Sequence, residues 1–158
     1  MKLSYEIRSA YPEEWEDAMA LAWKTFLKFE GDVYSPEGVR NFQDFITDTT
    51  LHRMFIMGAY RLFVATAEGK IVGMISLRSK CHISLLFVDE KYHRQGVGRA
   101  LMEYLEEYLI TETEEKQVTV NASPYGVAFY HRLGFQDIRP QEERDGIIYT
   151  PMVLAIHA

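Results

Sequence analysis

A glycine-bearing basic segment in the second half of the chain is suited to binding an anionic group. Gly96 and Gly98 allow backbone N–H groups to approach a ligand closely, because glycine has no side chain in the way. The segment also opens a stretch with helical apolar spacing, and a helix N-terminus carries partial positive charge. The pattern predicts a pyrophosphate site formed by Arg94, Gln95, Gly96, Val97, Gly98, Arg99 and Ala100.

Two common phosphate-binding motifs do not match this segment. A Walker loop requires Gly-Lys-Ser/Thr, which does not follow the glycines, and the dinucleotide fingerprint requires the spacing G-x-G-x-x-G. A nucleotide-binding P-loop protein is therefore disfavoured. The remaining alternative is a glycine-rich turn that only joins a strand to a helix.

A second group of residues lies downstream, where a short apolar segment ends in Asn121 and is followed by Ser123. The phrase Phe129-Tyr130-His131-Arg132-Leu133-Gly134-Phe135 comes next. With these residues the chain resembles the GNAT superfamily of N-acetyltransferases, whose signature is F-Y-x-x-L-G-F. The resemblance is most specific over residues 86–101 and 121–135, and the predicted order of elements follows it along nearly the whole chain.

The resemblance implies acetyl-CoA as co-substrate and no metal. In the family two strands splay apart, and the gap between them holds the cofactor. The family's loop is written Q/R-x-x-G-x-G/A; here His93 takes the first position and Arg94 follows, which leaves open the side chain that meets the pyrophosphate. Besides residues 93–100, the positions implied to contact acetyl-CoA are Leu86, Phe87, Val88, Asn121, Ser123 and Tyr130.

Acetyl transfer to an amine makes three chemical demands. The amine must lose a proton to a base or to water, a fixed donor must face the thioester oxygen as it gains charge, and the departing thiolate benefits from a proton donor. The resemblance assigns the backbone N–H of Leu86 as the hydrogen-bond donor to the thioester oxygen. It assigns the acid to Tyr130, whose phenol, with a pKa of about 10, stays protonated at neutral pH. The alternative for Tyr130 is a core aromatic residue.

The base is left open by the sequence. His82 lies six residues before Val88, where some family members place a glutamate base, and a histidine has a suitable pKa near ~6.5. Period-two alternation predicts that His82, Ser84, Leu86 and Val88 share one face of a strand. The alternative is a strand-edge histidine without a catalytic task.

The resemblance places the acceptor near the loop that follows the first predicted helix. Glu30 and Asp32 lie in this loop, and the alternative for both is that they are solvated loop acids. Phe29 and Tyr34 fall off the apolar pattern of the helix, so the predicted acceptor contacts are Phe29, Glu30 and Tyr34. Further candidates on the last predicted strand are Tyr149 and Met152.

The apolar spacing predicts the elements that position these residues. Leu3, Tyr5 and Ile7 alternate as in a strand, and a helix with Trp23 and Phe26 on its core face follows. The further segments are a helix from residue 35, a short helix over 51–58, a hairpin over 61–76, a strand over 82–88, a helix over 97–110, a strand over 118–120, a helix over 123–134, and two strands around residues 145–146, the second with Pro151 at a bulge or an edge.

The expected architecture is an α/β fold (an α+β mixed sheet) that is GNAT-like. A central mixed β-sheet is flanked by helices in the order βααβββαβαββ, as one domain over residues 1–158. The crossover from the strand at 82–88 through the helix at 97–110 to the strand at 118–120 makes those strands parallel. Because ligands bind at the carboxyl ends of parallel strands, the glycine segment and Asn121 are expected at the same end.

Composition excludes several other classes. The formal net charge is −6 and the sequence pI about 5.4, without the basic face that a nucleic-acid binder needs. There is neither an apolar run of about 20 residues for a membrane span nor a recognisable signal or transit peptide. Cys81 is the single cysteine, which fits a cytoplasmic protein and favours a packing role over a nucleophile.

The sequence therefore predicts an acyl-CoA-dependent N-acyltransferase in which a small cationic amine or a peptide amine attacks acetyl-CoA directly. The alternative is a non-catalytic CoA-binding regulatory module on the same fold, which typically keeps the glycine segment and loses the acid. A homodimer is expected by analogy with the family alone.

Overall fold

The computed structural model describes residues 4–157, so Leu3 of the predicted first strand lies outside the described residues. None of the helices in that range combines the length and apolar character needed to cross a lipid bilayer. The helices are α1 (Trp15–Phe29), α2 (Pro36–Ile46), α3 (Thr49–Ile56), α4 (Val97–Glu112) and α5 (Val127–Arg132). The strands are β1 (Glu6–Ser9), β2 (Arg61–Ala67), β3 (Lys70–Arg78), β4 (His82–Val88), β5 (Gln117–Ala122), β6 (Gln136–Asp137), β7 (Glu142–Arg144) and β8 (Ile147–Ala155).

The strands form one mixed sheet in the order β1-β2-β3-β4-β5-β8-β6, and β7 pairs with the first residues of β8. Neighbouring strands are antiparallel, except that β4 and β5 are parallel and connected through α4. The carboxyl ends of β4 and β5 consequently lie at the same end of the sheet. The glycine segment and Asn121 follow those ends, as the sequence predicted.

Helices cover both faces of the sheet and bury a separate apolar cluster on each. On one face α4 contributes Leu101, Leu105 and Leu109, all fully buried, and α5 packs beside it. On the other face α1 contributes a row that includes Trp15 and Ala22, and α2 and α3 complete the layer. The mixed sheet between two helical layers is the architecture that the sequence predicted.

Two elements extend the predicted order of strands and helices. The short helix expected over residues 51–58 is α3, which begins after Asp48, whose side chain accepts a hydrogen bond from Thr50 N at 2.7 Å. This is the N-cap arrangement that favours helix starts. Strand β6 has two residues, too few to produce an alternation that a sequence pattern could reveal.

Pro151 lies in a regular part of the register between β5 and β8, so of the two predicted alternatives the bulge is absent, and the edge position fits because the pairing of β6 with β8 stops at Met152. The register between β5 and β8 continues through the pair Asn121 and Pro151. On its other side the Pro151 carbonyl oxygen accepts a hydrogen bond from Ile138 N at 2.8 Å, just past the end of β6. The nitrogen of Pro151, which has no hydrogen to donate, therefore faces the position just past the end of β6. This explains why proline is tolerated here.

Candidate active site

Strands β4 and β5 begin as neighbours and then diverge, which opens a slot between them. They pair at His82 with Thr119 and at Ile83 with Val120. Beyond that point β5 pairs with β8, and β4 continues along β3 as far as Val88. The edge of β4 that faces the slot therefore presents backbone groups with which another extended chain could pair.

An extra residue bends β4 at the start of the slot. Leu77 of β3 lies opposite Ile83, but the preceding Ser76 lies opposite Leu85. Ser84 is therefore the additional residue of a β-bulge. Bulges are common beside active sites, because they redirect the backbone and the side chains that follow.

The bulge changes the face of the sheet to which the later side chains point. Ile83, Leu86 and Val88 all pack in the apolar cluster beneath α4. His82 precedes Ile83 and points to the opposite face, where its ring meets Thr119. The prediction that His82 shares a face with Leu86 and Val88 is wrong, because period-two alternation does not continue through a bulge.

A cavity of about 1110 Å³ joins the slot to the space beneath α1 and α2. This volume exceeds that of a typical site for one small ligand. Gln95 and Ala100 belong to the glycine segment but not to the cavity wall. The other predicted site residues line it, namely Phe29, Glu30, Tyr34, His82, Leu86, Phe87, Val88, His93, Arg94, Gly96, Val97, Gly98, Arg99, Asn121, Ser123 and Tyr130.

The two glycines at the start of α4 have different surroundings. Gly96 is the N-cap with φ 80°, and a Cβ placed on it would have no atom of the described residues within 4 Å. A Cβ on Gly98 would lie 3.3 Å from the Phe129 ring. Gly96 therefore faces open space beside the first N–H groups of α4, whereas Gly98 allows α4 to approach α5.

His93 is anchored to the end of β4 and is stacked in an aromatic row. Its Nε2 lies 2.7 Å from the carbonyl oxygen of Val88, and its ring lies 5.0 Å from that of Phe29. Tyr125 also stacks on Phe29, with the two ring centroids 4.9 Å apart. The row crosses from the end of β4 to the start of α5, so Phe29 lies at the mouth of the slot.

Tyr130 is a buried residue of α5 that also reaches the cavity wall. Its ring packs edge-on against Phe129 and Phe135, at 5.2 Å in each case. Burial raises the pKa of the phenol, and the negative charge of Glu30 raises it further. The hydroxyl therefore keeps its proton well beyond neutral pH. The ring belongs to the core, as the alternative reading of the sequence proposed, and the residue lines the cavity as well.

Glu30 is buried, so its interpretation as a solvated loop acid is wrong. It is the C-cap of α1, its N–H donates to Phe26 O at 2.8 Å, and the residue is 8% exposed. It lies four residues after Phe26, which continues the buried face of the helix. That spacing is the signal by which the sequence could have revealed it. Asp32, by contrast, is exposed and lies outside the cavity wall.

The surroundings of Glu30 disfavour its charged form. Burial raises the pKa of its carboxyl, and the nearby Ser123 hydroxyl offsets part of the rise. The same charge acts on two tyrosines, because Glu30 contributes to raising the pKa of Tyr34 and of Tyr130. The cavity thus holds a carboxyl group between phenols that stay neutral.

Glu30→Gln is expected to raise the melting temperature at neutral pH. A carboxyl whose pKa is raised on folding binds more protons in the folded state, so stability falls as pH rises from the unfolded-state pKa of about 4.5 through the folded-state pKa. The isosteric glutamine removes this penalty. Calorimetric scans should show the largest difference near pH 7.5 and a shrinking difference toward about pH 4. A variant less stable than wild type at every pH would instead mark Glu30 as a structural residue.

His82 lines the cavity on the face opposite Leu86, and its environment keeps it neutral. Its Nδ1 lies 2.8 Å from the Thr119 hydroxyl oxygen. Burial, and then the positive charge of Arg78, lower the pKa of His82 to about 4. A histidine in this state can accept a proton but is a weak base toward an ammonium group.

His82→Asn is expected to leave the pH dependence of kcat/KM unchanged above about pH 5, because the wild-type ring is already neutral there. The measurement is a pair of pH–rate profiles under identical buffer conditions. An acid limb between about pH 6 and 7 that is present in wild type and missing in the variant would contradict this expectation and identify His82 as the base.

Aromatic residues and several charged residues line the half of the cavity beneath α1 and α2. Sequence reasoning did not identify Phe42 or Arg78, which line it. Of the candidates on the last strand, Tyr149 lines the cavity, whereas Met152 is fully buried in the core.

Among residues 4–157, no group of three or more His, Cys, Asp or Glu side chains is placed to hold a metal ion.

The chain is similar to known acetyltransferases in sequence and in fold. A family model described as an acetyltransferase (GNAT) domain matches residues 30–156. The chain is 27% identical over 136 residues to the uncharacterized N-acetyltransferase YafP of Escherichia coli (strain K12), a match that covers 86% of this chain and 84% of that protein.

Solved structures of GNAT proteins share this fold. A GCN5-related N-acetyltransferase from Rhodopseudomonas palustris superposes with a TM-score of 0.83 at 24% identity and 99% coverage of both chains. The PaiA N-acetyltransferase from Thermoplasma acidophilum, solved in complex with coenzyme A, gives 0.80 at 18% identity, covering 97% of this chain and 99% of that one. These likenesses confirm the predicted fold class. Since the family model spans most of the chain, the protein belongs to the GNAT family of acetyltransferases.

Proposed function

We propose that the protein is an enzyme that transfers an acetyl group from acetyl-CoA to a primary amine by direct attack of the amine. The observation that carries the proposal is the divergence of β4 from β5 after Ile83, between the open N-terminus of α4 and the buried Tyr130. This arrangement offers an edge for an extended arm, donors for an anion and a proton donor along one slot.

The residues around the slot fit acetyl-CoA. The backbone of residues 86–88 can pair with the pantetheine arm as an added strand, and Asn121 is exposed at the end of β5 on the opposite side. The open space at Gly96 leaves the first N–H groups of α4 accessible to a pyrophosphate. Because His93 is held by the Val88 carbonyl, the exposed Arg94 and Arg99 are the side chains assigned to the phosphates. The PaiA N-acetyltransferase, which shares the fold, was solved in complex with coenzyme A, which supports a coenzyme A thioester as the ligand of the slot.

Two groups of this chain are assigned to the chemistry. The Leu86 N–H would donate to the thioester oxygen as negative charge develops there, a type of stabilisation that is often the largest single contribution to catalysis. Tyr130 would give its proton to the departing sulfur. Its raised pKa ensures that the proton is present at neutral pH. The thioester supplies the activated acetyl group, and the protein supplies the positions of these donors.

A CoA-binding regulatory module is the second candidate function. The cavity extends well past the slot to residues of α1 and α2, and both Tyr130 and the buried carboxyl group of Glu30 line it. A module that only senses CoA has no use for an acid or for a second chamber. These features favour the enzyme.

Acetyl-CoA is expected to raise the melting temperature by about 5–10 °C at a concentration 100 times its Kd, and ATP by much less. The difference follows because the slot fits a pantetheine arm and the glycine segment has no Walker lysine. CoA release with a panel of amines then tests catalysis. Equal shifts with ATP would contradict the cofactor assignment, and acetyl-CoA binding without CoA release for any amine would favour the regulatory module.

A further inference from the structure

Two buried oxygen atoms in the cavity wall, Thr25 Oγ1 and Glu30 Oε1, have no hydrogen-bond partner within residues 4–157. Their residues are 7% and 8% exposed, respectively. An unpaired carboxylate costs far more inside a protein than an unpaired hydroxyl. Glu30 is therefore the group that gains most from a partner supplied by a ligand.

The surroundings of Glu30 select a cation as that partner. The groups that affect its titration or are affected by it are the hydroxyls of Ser123, Tyr34 and Tyr130. These groups are neutral, and within the described residues 4–157 no basic side chain forms an ion pair with Glu30. An ammonium group supplies both the opposite charge and strong N–H donors. An anionic ligand would instead meet the like charge of the Glu30 carboxylate.

The wall next to Glu30 is made of aromatic rings from α1, α2, the intervening loop and β4. Phe26 and Phe42 stack with centroids 4.0 Å apart, the Tyr34 ring lies 5.3 Å from Phe26, and Phe87 meets Phe42 edge-on at 5.9 Å. All four residues line the cavity. Such a wall favours a flat apolar body. A peptide backbone placed there would leave its polar groups unpaired.

Beyond the aromatic wall, the start of α2 touches the turn between β7 and β8. A Cβ on Gly38 would collide with the carbonyl group of Gly146, and Asn41 Nδ2 donates to Asp145 O at 2.9 Å. Asn41 and Asp145 also line the cavity. This direct backbone contact closes that side of the cavity to a polypeptide.

We propose that Glu30 binds the ammonium group of the acceptor and that the acceptor is a small primary amine with a compact, flat apolar body, not a polypeptide. The inference deepens the proposed function and rests on it, because an amine held at Glu30 lies beside Tyr130. It narrows the acceptor from any cationic or peptide amine to the class of arylalkylamines and similar molecules.

Glu30 also receives the proton that the ammonium group must lose. Burial disfavours both charges of the pair, so transfer to the carboxylate is easier than in water. The nitrogen lone pair then forms the C–N bond as the C–S bond breaks. Tyr130 gives its proton to sulfur and regains one from the nitrogen. The products are one amide, one thiol and the proton that Glu30 releases to water.

The test uses 2-phenylethylamine with wild type, Glu30→Gln and the control Asp32→Asn, whose carboxylate is exposed and two residues away. Glu30→Gln is expected to lower kcat/KM for the amine and to weaken its binding in the presence of CoA by at least about 30-fold. Acetyl-CoA affinity should stay at the wild-type value, and Asp32→Asn should behave as wild type. The inference would be overturned if wild type and Glu30→Gln bound the amine with equal affinity, or if the wild type did not bind the amine.

A second comparison tests the exclusion of polypeptides. Two peptide-like acceptors are compared with 2-phenylethylamine: a tetrapeptide with a free N-terminus, and Nα-acetyl-lysine amide, whose side-chain amine is free. Each should be acetylated at least about 100-fold less efficiently, because each brings backbone polar groups against the aromatic wall. Comparable rates would overturn the inference while leaving the proposed function intact. If the amine binds only when Glu30 is present but no CoA is released, the proposed function is refuted and the proposed amine-binding site still stands.

Discussion

Tyr130→Phe is expected to lower kcat about 100-fold while the KM for acetyl-CoA stays close to the wild-type value. The substitution keeps the ring and its packing against Phe129 and Phe135, so the melting temperature should change little. Only the proton donor is lost. A thiolate is a tolerable leaving group, which places the effect near the lower end of the range for general acid catalysis. Steady-state CoA release at saturating amine measures it.

Tyr34→Phe is the matched control, since Tyr34 is another cavity-lining tyrosine whose pKa is raised by burial and by Glu30. Its kcat should stay within a few-fold of wild type. Because the pKa of Tyr130 is raised above the ordinary value of about 10, loss of its proton should not reduce the wild-type rate below about pH 10. Full kcat in Tyr130→Phe, under conditions where chemistry limits turnover, would return Tyr130 to a purely structural role.

Gly96→Asp is expected to weaken acetyl-CoA binding about 100-fold relative to Gly96→Asn, because placing like charges against each other costs several kcal/mol. Asparagine and aspartate both tolerate the left-handed conformation that Gly96 adopts at φ 80°. The open space there accommodates either side chain. The pair therefore differs only in the charge placed where the pyrophosphate is proposed to bind. Calorimetric titration with acetyl-CoA gives both affinities.

The difference between the two Gly96 variants should shrink as salt rises, since exposed charges are screened. Equal affinities in two folded variants would remove the start of α4 from the cofactor site. Position 98 is unsuitable for this test, although it belongs to the same motif. A side chain there meets Phe129 at 3.3 Å, so a substitution would disturb the packing of α4 on α5 as well as any ligand.

The elements that carry regular patterns could be predicted from the sequence. The strand at 82–88, the helix that follows the glycine segment and the strand that ends near Asn121 were each placed from apolar spacing. Since those three elements form a parallel crossover, the sequence also predicted that the glycine segment and Asn121 would meet at one end of the sheet. Two motifs in the right order then identified the family.

The features that the sequence could not reveal depend on contacts between distant segments. Ser84 reads as one more residue of an alternating strand, and only its pairing with β3 shows the bulge. The burial of Glu30 depends on the end of α1 lying near Ser123, which follows β5, and near Tyr130 of α5. The contact between Gly38 and Gly146 joins residues more than 100 positions apart. Local propensity carries no information about such partners.

The central claim, direct transfer from acetyl-CoA to an amine, is tested most directly by following an isotopically labelled acetyl group. The protein is mixed with labelled acetyl-CoA, with and without each amine of a panel that includes 2-phenylethylamine, and the masses of intact protein and of small molecules are recorded. Without amine the label should stay on CoA and the protein mass should not change. With amine the label should appear in the amide as CoA is released. Transient labelling of the protein, for example at Cys81, or label that stays on CoA with every amine offered, would contradict the account.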